Sequence, residues 1–219
     1  MNNHPNFITI EGGDGVGKST HVEALVKNLQ DLGYDVLHTR EPGGTELGEQ
    51  LRKIALNAPM TAKTECIMMF AARNEHLEQV IRPALKAGKV VVCDRFTDST
   101  LAYQGGARGV LASDLGNLIQ IVHPDLGPGL TILFDLDENI RLQRLAATGK
   151  IPDKFESENS DFHIKVRNAY LALTTQDRFK IVDASKTMEN VAKQVDDIMA
   201  CHLPFLQKKT SQPKHFISK

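Results

Sequence analysis

Five short apolar runs, rich in β-branched residues, constrain the fold of this chain more than any other feature. They read FITIEG, YDVLHTR, KVVVCDR, LTILFDL and FKIVDAS, and at least one segment of helical length separates each run from the next. Continuous Val, Ile and Leu runs are typical of strands buried on both faces of a parallel sheet. The pattern therefore predicts an α/β protein, a three-layer α/β/α sandwich with a five-stranded parallel sheet and right-handed crossovers.

Apolar residues with a period of 3.6 predict the helices between these strands. The predicted helices cover residues 18–32, 45–56, 63–87, 113–122, 138–147, 162–176 and 188–201. A chain of this length fits one large domain, so we predict a single domain over residues 1–205. Residues 206–219 are polar and basic without apolar periodicity, which predicts a flexible tail.

Charge and composition narrow the class of protein. The chain has 26 Lys and Arg residues against 27 Asp and Glu residues, a formal net charge of -1, so nothing global attracts it to nucleic acid. No window reaches the roughly 18 apolar residues of a membrane span, and the N-terminus lacks a basic and apolar leader. Three cysteines without C-x-x-C spacing indicate reduced thiols. We therefore expect a cytoplasmic protein with no nucleic-acid or membrane partner.

A glycine-rich segment follows the first predicted strand and opens the first predicted helix. It matches G-x-x-x-x-G-K-[ST], a loop whose backbone N–H groups cradle phosphates at a helix N-terminus. Lysine at the motif position would contact the β and γ phosphates, and the serine hydroxyl would bind Mg²⁺. The predicted triphosphate-binding residues are Gly12, Gly13, Asp14, Gly15, Val16, Gly17, Lys18, Ser19 and Thr20.

Charged residues at the ends of other predicted strands indicate a second anion site. Asp94 ends the strand KVVVCDR, where a carboxylate can hold a metal ion together with Ser19. Arg95 follows directly and suits either a phosphate clamp or an ion pair with a nearby acid. Further arginines could each be solvated surface charges when taken singly. Together, Arg95, Arg40, Arg52 and Arg73 imply two phosphate-bearing ligands.

Five segments carry a resemblance to a known family. IEGGDGVGKST, TREPGGT, FAARNEH, DRFTDSTLAYQGG and IVDAS occur in an order and spacing similar to those of thymidylate kinases. The similarity covers about residues 6 to 200, and the second and fourth segments are the most specific. It implies a P-loop NTPase fold, phosphorylation of dTMP to dTDP with ATP and Mg²⁺ in dTTP biosynthesis, and a homodimer.

The resemblance also implies roles for individual residues around dTMP. Asp14 corresponds to the carboxylate that contacts the sugar 3'-hydroxyl, Arg95 steadies the acceptor phosphate, and Arg73 donates to O4 of thymine. The base would stack on Phe70 or on Met69, which occupies the place where many family members have an aromatic residue. Tyr103 corresponds to the residue that crowds the sugar 2' position, although Phe70 and Tyr103 could also be plain core residues. The full predicted substrate set is Asp14, Arg40, Arg52, Met69, Phe70, Arg73, Arg95, Ser99, Thr100, Tyr103 and Gln104.

The polar segment 148–161 resembles the family's lid over ATP. Family members with a neutral residue inside the phosphate loop place basic residues in this lid, and Gly15 is such a residue. The lid here carries Lys150 and Lys154 where arginines are usual. The predicted catalytic set is Lys18, Asp94, Arg95 and Lys154, and Arg144, Ala184 and Ser185 complete the predicted ATP site.

Two other functions share part of this sequence pattern. A kinase for another nucleotide or nucleoside would need only small changes in the base pocket. A GTPase-like switch would share the phosphate loop, but the chain contains no N-K-x-D element and the additional arginines would be unexplained. A phosphate monoester is already largely a dianion at neutral pH, so the predicted reaction needs no general base.

Overall fold

The computed structural model describes residues 2–148 and 154–207, and these contain a five-stranded sheet. Its strands are β1 (Asn2–Glu11), β2 (Val36–Arg40), β3 (Val90–Asp94), β4 (Leu126–Asp135) and β5 (Phe179–Asp183). They lie in the order β2-β3-β1-β4-β5, and every pairing is parallel. The predicted α/β fold with a five-stranded parallel sheet is confirmed.

Helices cover both faces of this sheet. Their bounds are α1 (Lys18–Asp31), α2 (Glu46–Asn57), α3 (Ala62–His76), α4 (Arg82–Lys86), α5 (Thr97–Thr100), α6 (Ala112–Val122), α7 (Glu138–Thr148), α8 (Ser160–Leu173) and α9 (Met188–His202). Because successive strand residues point to opposite faces, Ile8 and Ile10 pack with α1 and α9, whereas Phe7 packs with Leu77 and Ile81 on the other side. Two helical layers therefore enclose the sheet, as predicted.

Two helical regions differ from the predicted ones. The predicted helix 63–87 consists of α3 and α4 joined by a π-helical turn, Leu77–Ile81, which ends two residues before Pro83. Proline has no N–H to donate, and a π-helical turn is one way in which a helix absorbs that loss. A second helical stretch, α5 with the π-helical segment Leu101–Ala107, was not predicted. Its glycines and β-branched residues have low helix propensity, so the local sequence did not indicate a helix.

The parallel pairing brings the predicted functional segments to one edge of the sheet. Ile10 of β1 and Arg40 of β2 both pair with Asp94 of β3. The glycine-rich loop after β1 therefore begins beside the residues that follow β3. This edge, at the carboxyl ends of neighbouring strands, is where ligands bind in open α/β sheets.

The last described residues remain docked on the sheet. Leu206 is buried in the core, and Gln207 exchanges hydrogen bonds of 2.7 and 2.8 Å with the side chain of Asn6. The docked chain thus extends two residues into the predicted tail, and residues 208–219 lie outside the described residues. We propose one domain over 1–205, because the described strands share one sheet. Within the described ranges, no helix combines the length and the apolar character that crossing a membrane requires.

Candidate active site

The glycine-rich loop has the backbone geometry of a phosphate cradle. Gly12, Gly15 and Gly17 all have positive φ angles, of 138°, 77° and 92°. A Cβ on Gly12 would lie 2.5 Å from the carbonyl oxygen of Phe134, so only glycine fits there. No side chain caps α1, whereas Thr45 caps α2 and Thr187 caps α9. The first N–H groups of α1 are therefore available to an anionic ligand.

Lys18 is folded over this loop. Its Nζ donates to the carbonyl oxygens of Gly12 and Gly13 at 3.1 and 2.8 Å. Burial, followed by the nearby charge of Arg95, lowers the pKa of Lys18 to about 8. A bound phosphate would favour the charged form and raise this pKa again, so the loop gains a full positive charge where the donor phosphates are predicted to bind.

Ser19 and Asp94 line one cavity and can together hold a metal ion. The Oδ1 atom of Asp94 is buried and has no hydrogen-bond partner among the described residues. Carboxylate and hydroxyl oxygens are the ligands that Mg²⁺ prefers. Arg40 lines the same cavity, but Glu49 holds its guanidinium through two hydrogen bonds of 3.0 and 2.8 Å. The structure thus places Arg40 with its own loop and beside Ser19 and Asp94.

Arg95 connects the loop to a second cavity. Its Nη2 donates to Asp14 Oδ1 at 2.6 Å and its Nη1 donates to the Gly12 carbonyl at 2.8 Å. Tyr103 donates to the other Asp14 oxygen at 2.7 Å. Burial alone would raise the pKa of Asp14, but Arg95 and Lys18 outweigh it and the pKa lies below its usual range. Arg95 has a left-handed backbone (φ 68°), a costly conformation for a non-glycine residue.

A buried carboxylate lies behind Arg95. Glu11 accepts hydrogen bonds from the backbone N–H of Phe96 at 2.8 Å, from Ser99 at 2.6 Å and from Tyr170 at 2.8 Å. Both hydroxyl oxygens also lie 3.2 Å from Nη1 of Arg95. Burial, with a further contribution from the charge of Asp98, raises the pKa of Glu11 to about 7. The sequence motif contained Glu11, but nothing in its spacing distinguished it from an ordinary strand residue.

The second cavity collects most of the predicted substrate residues. Among its lining are Asp14, Arg52, Met69, Arg73, Arg95, Ser99, Thr100, Tyr103 and Gln104. Glu41, Pro42, Ala55, Leu56, Phe96 and Phe155 also line it and were not predicted. Phe70 is absent from the lining. It is 1% exposed and stacks on His123 with ring centroids 6.4 Å apart, so the structure places Phe70 in the core and Met69 at the cavity.

Arg73 is fixed at one end of this cavity. Its Nε donates to Glu41 Oε2 at 2.7 Å and its Nη2 donates to Thr100 at 3.0 Å. The guanidinium lies over the rings of Phe70 and Phe96, at 4.8 and 5.2 Å from the centroids. The remaining donor, Nη1, is buried without a partner among the described residues. An acceptor on a ligand would satisfy it.

Glu41 belongs to a buried cluster with His76 and Cys93 whose spacing resembles that of a metal site. Glu41 Oε1 lies 3.0 Å from His76 Nδ1, and the other ring nitrogen lies 2.7 Å from the hydroxyl of Thr39. Both imidazole nitrogens are therefore hydrogen-bonded, and Arg73 already neutralises the carboxylate. The cluster supports Arg73 rather than holding a metal ion.

The family follows from a comparison with known sequences. The sequence model described as thymidylate kinase matches residues 10–195 of this chain. The chain belongs to the thymidylate kinase family. A thymidylate kinase of Methylobacillus flagellatus is 50% identical over 195 residues, which cover 88% of this chain and 96% of that protein. Thymidylate kinases of Bordetella pertussis (50% over 192 residues, 87% and 92% covered) and Ectopseudomonas mendocina (47% over 198 residues, 88% and 94% covered) are also similar.

The residues that are predicted to border adenine also lie close together in this thymidylate kinase. Arg144 donates to the carbonyl oxygen of Ala184 at 2.8 Å and to that of Val16 at 3.4 Å. Ser185 follows Ala184 and donates to Asp183. Thr20 lies exposed on α1, one residue after Ser19. The structure therefore brings the end of β5 beside the phosphate loop.

Lys154, in the predicted lid, contacts two helices that line the second cavity, α2 and α3. Its Nζ is 2.8 Å from Glu65 Oε2 and donates to the carbonyl oxygens of Ala55 and Ala58 at 3.1 and 3.5 Å. Glu65 was not predicted as a site residue, and only its position on α3 could have indicated it. Lys150 lies outside the described residues.

Proposed function

We propose that this chain phosphorylates dTMP to dTDP with ATP and Mg²⁺ by in-line phosphoryl transfer, in dTTP biosynthesis. One observation carries the proposal: the Asp14–Arg95 ion pair belongs both to the phosphate loop and to the cavity that contains Arg73. A donor phosphate on the loop and an acceptor monophosphate in the cavity would therefore meet at Arg95. A GTPase-like switch would not require the second cavity.

The cavity residues suit a deoxythymidine monophosphate. Arg95 and Arg52 supply guanidinium groups for its phosphate, which favours bidentate contacts. Asp14 supplies an acceptor for the 3'-hydroxyl. Tyr103, held by Asp14, fills the wall beside the sugar and would exclude a 2'-hydroxyl. Arg73 offers its free Nη1 to a base carbonyl.

The chain's own groups would lower the barrier by alignment and charge neutralisation. Lys18 holds the donor phosphates while Arg95 holds the acceptor, and both cations reduce the repulsion between the two anions. Magnesium, held by Ser19 and Asp94, would supply further charge neutralisation on the donor. Arg144, Ala184 and Ser185 would border the adenine, and a closed lid would exclude water.

An acceptor panel tests this proposal. The purified protein is given ATP and Mg²⁺ with dTMP, dCMP, AMP, GMP or free thymidine, and diphosphate formation is measured. The fastest turnover should be on dTMP. Lys18→Ala is the matched control, since it should abolish transfer and still bind dTMP. Preferential use of AMP, GMP or thymidine would contradict the proposal.

We further propose that the protein acts as a homodimer in the cytoplasm. Ile67, Leu111 and Ile121 on and beside α3 and α6 are 50%, 65% and 77% exposed, which supports an apolar contact between two copies. Free thiols at Cys66, Cys93 and Cys201 are compatible with a reducing compartment.

A further inference from the structure

Glu65 lies beside Gln104, a lining residue of the second cavity, and makes contacts that the proposed reaction does not by itself require. It is 1% exposed on α3. Its Oε1 accepts from Gln104 Nε2 at 2.9 Å and from Arg108 Nε at 3.0 Å, and its Oε2 pairs with Lys154 at 2.8 Å. Burial would raise the pKa of Glu65, but the hydrogen bonds from Lys154 and Gln104 and the charge of Arg108 keep it below its usual value. Glu65 is therefore an ionised carboxylate, which can only accept hydrogen bonds.

An acceptor that cannot donate fixes the direction of the amide beside it. A glutamine amide has a donor branch and an acceptor branch, and only the donor branch can face a carboxylate. The Nε2 group of Gln104 therefore points to Glu65, and its carbonyl oxygen lies on the other branch. Gln104 is 3% exposed and lines the cavity, so its amide can offer a ligand the carbonyl oxygen, which is an acceptor.

Arg73 supplies the opposite function in the same cavity. Its Nη1 is buried without a partner among the described residues, and a guanidinium can only donate. Arg73 thus offers a base a donor, and Gln104 offers it an acceptor. Thymine offers the complement, an O4 acceptor beside an N3–H donor. Cytosine offers the reverse arrangement, an amino donor beside an unprotonated N3 acceptor.

We propose that Glu65 is a positioning residue that determines specificity: by fixing the Gln104 amide, it makes the cavity select 2,4-dioxopyrimidine monophosphates against 4-aminopyrimidine monophosphates. The proposal rests on the proposed function, because it concerns the acceptor of that reaction. Without Glu65, the amide can rotate and present its N–H₂ group to the base, which would suit N3 of cytosine.

The test compares dTMP with dCMP in the full-length protein. In Glu65→Gln, residue 65 can donate as well as accept, so the Gln104 amide is no longer fixed. The ratio of kcat/KM for dTMP to that for dCMP should fall about tenfold or more, since a mismatched buried polar group is the main source of such discrimination. Arg108→Gln, which removes a different Glu65 contact, should leave the ratio within about twofold of the wild-type value. An unchanged ratio in Glu65→Gln would overturn the proposal.

A double-mutant cycle shows whether Glu65 acts through Gln104. Gln104→Leu alone should reduce the ratio by about as much as Glu65→Gln, and the double variant should lose no more than either. Additive losses would overturn the proposal. If Glu65→Gln fails to fold, Glu65→Asp replaces it, because aspartate keeps the charge but its shorter side chain moves the carboxylate away from Gln104. An unchanged kcat/KM ratio in Glu65→Asp would also overturn the proposal.

The failure of this proposal is distinguishable from failure of the proposed function. If the wild-type protein does not phosphorylate dTMP, the proposed function is wrong. Dissociation constants of dTMP and dCMP, measured by calorimetry without ATP, still give the selectivity of the wild-type protein and of each variant. Equal selectivity in the wild-type protein and Glu65→Gln would overturn the positioning role in that case as well.

Discussion

Met69 and Phe70 are neighbours on α3 that meet different surroundings. Met69 lines the second cavity, whereas Phe70 packs between the guanidinium of Arg73 and the ring of His123. Contact with a base would therefore be made by the flexible thioether of Met69, which suits an adaptable apolar surface. Phe70 holds Arg73 in place from behind.

Truncating each residue should separate these roles. Met69→Ala should weaken dTMP binding about tenfold, because it removes apolar contact worth on the order of 1–2 kcal/mol. Phe70→Leu should instead lower the free energy of unfolding by about 1–2 kcal/mol, with the dTMP dissociation constant changed less than about threefold. Calorimetric titration and urea unfolding measure the two effects. A larger loss of dTMP affinity in Phe70→Leu than in Met69→Ala would contradict this assignment.

The buried carboxyl group of Glu11 should make the stability of the fold depend on pH. Its pKa rises from 4.5 to about 7 on folding, so between these values the unfolded chain loses its proton before the folded chain does. The contribution of Glu11 to the free energy of unfolding therefore falls as pH rises through this window. From pH 5 to pH 8, the wild type should lose on the order of 2 kcal/mol relative to Glu11→Gln. Urea unfolding of both proteins tests this, and a difference that is equal at the two pH values would refute it.

At the scale of elements, the lid contact of Lys154 has a measurable consequence. The lysine is held by Glu65 and two backbone carbonyls, so it must leave them to reach the donor phosphates. Lys154→Ala should lower kcat for dTMP phosphorylation by about tenfold or more and change the dTMP dissociation constant less. Steady-state kinetics and calorimetry give the two values, and Lys165→Ala on α8 is a control. Unchanged turnover would remove Lys154 from the catalytic set.

The π-helical segment Leu101–Ala107 packs closely against α8. A Cβ on Gly106 would overlap the Cβ of Ala169, whereas a Cβ on Gly116 of α6 would meet no atom within 4 Å. Gly106→Ala should therefore cost about 1–3 kcal/mol of stability. Gly116→Ala should add about 0.5–1 kcal/mol, because alanine has the higher helix propensity. Thermal unfolding measures the change in stability of each variant. Equal changes would show that the segment Leu101–Ala107 and α8 can move apart without a loss of stability.

The same segment shows what the sequence could and could not predict. The five strands were recognisable because each is a continuous apolar run that must be buried on both faces. The helix over 97–107 was not, because Gly105 and Gly106 argue locally against a helix and only their contacts with Leu115 and Ala169 explain them. The local sequence pattern thus predicts elements that are stabilised by their own residues. It fails where packing between distant segments determines the conformation.

At the scale of the whole molecule, the motifs that lie at strand ends come together at one edge of the sheet. Gly12, Asp94 and Arg95 meet because parallel strands place their carboxyl ends at one edge. Glu41 and Glu65 were missed because each contacts another cavity side chain, Arg73 or Gln104, and a single sequence shows no such pairing.

The exposed apolar residues on and beside α3 and α6 give the last prediction. The two helices pack together through Cys66, Phe70, Leu115 and Ile119, and Ile121 on their outer side is 77% exposed. If two copies join there, Ile121→Glu buries an unpaired charge in the interface. The dissociation constant of the dimer should therefore rise at least about a hundredfold. Met188→Glu, at an exposed position in the first turn of α9, is the matched control and should leave the mass unchanged. Sedimentation velocity at micromolar protein concentration measures the mass of each variant. A dimer that survives Ile121→Glu with undiminished affinity would place the interface elsewhere, because a glutamate side chain on this helix could not be accommodated within an apolar contact without loss.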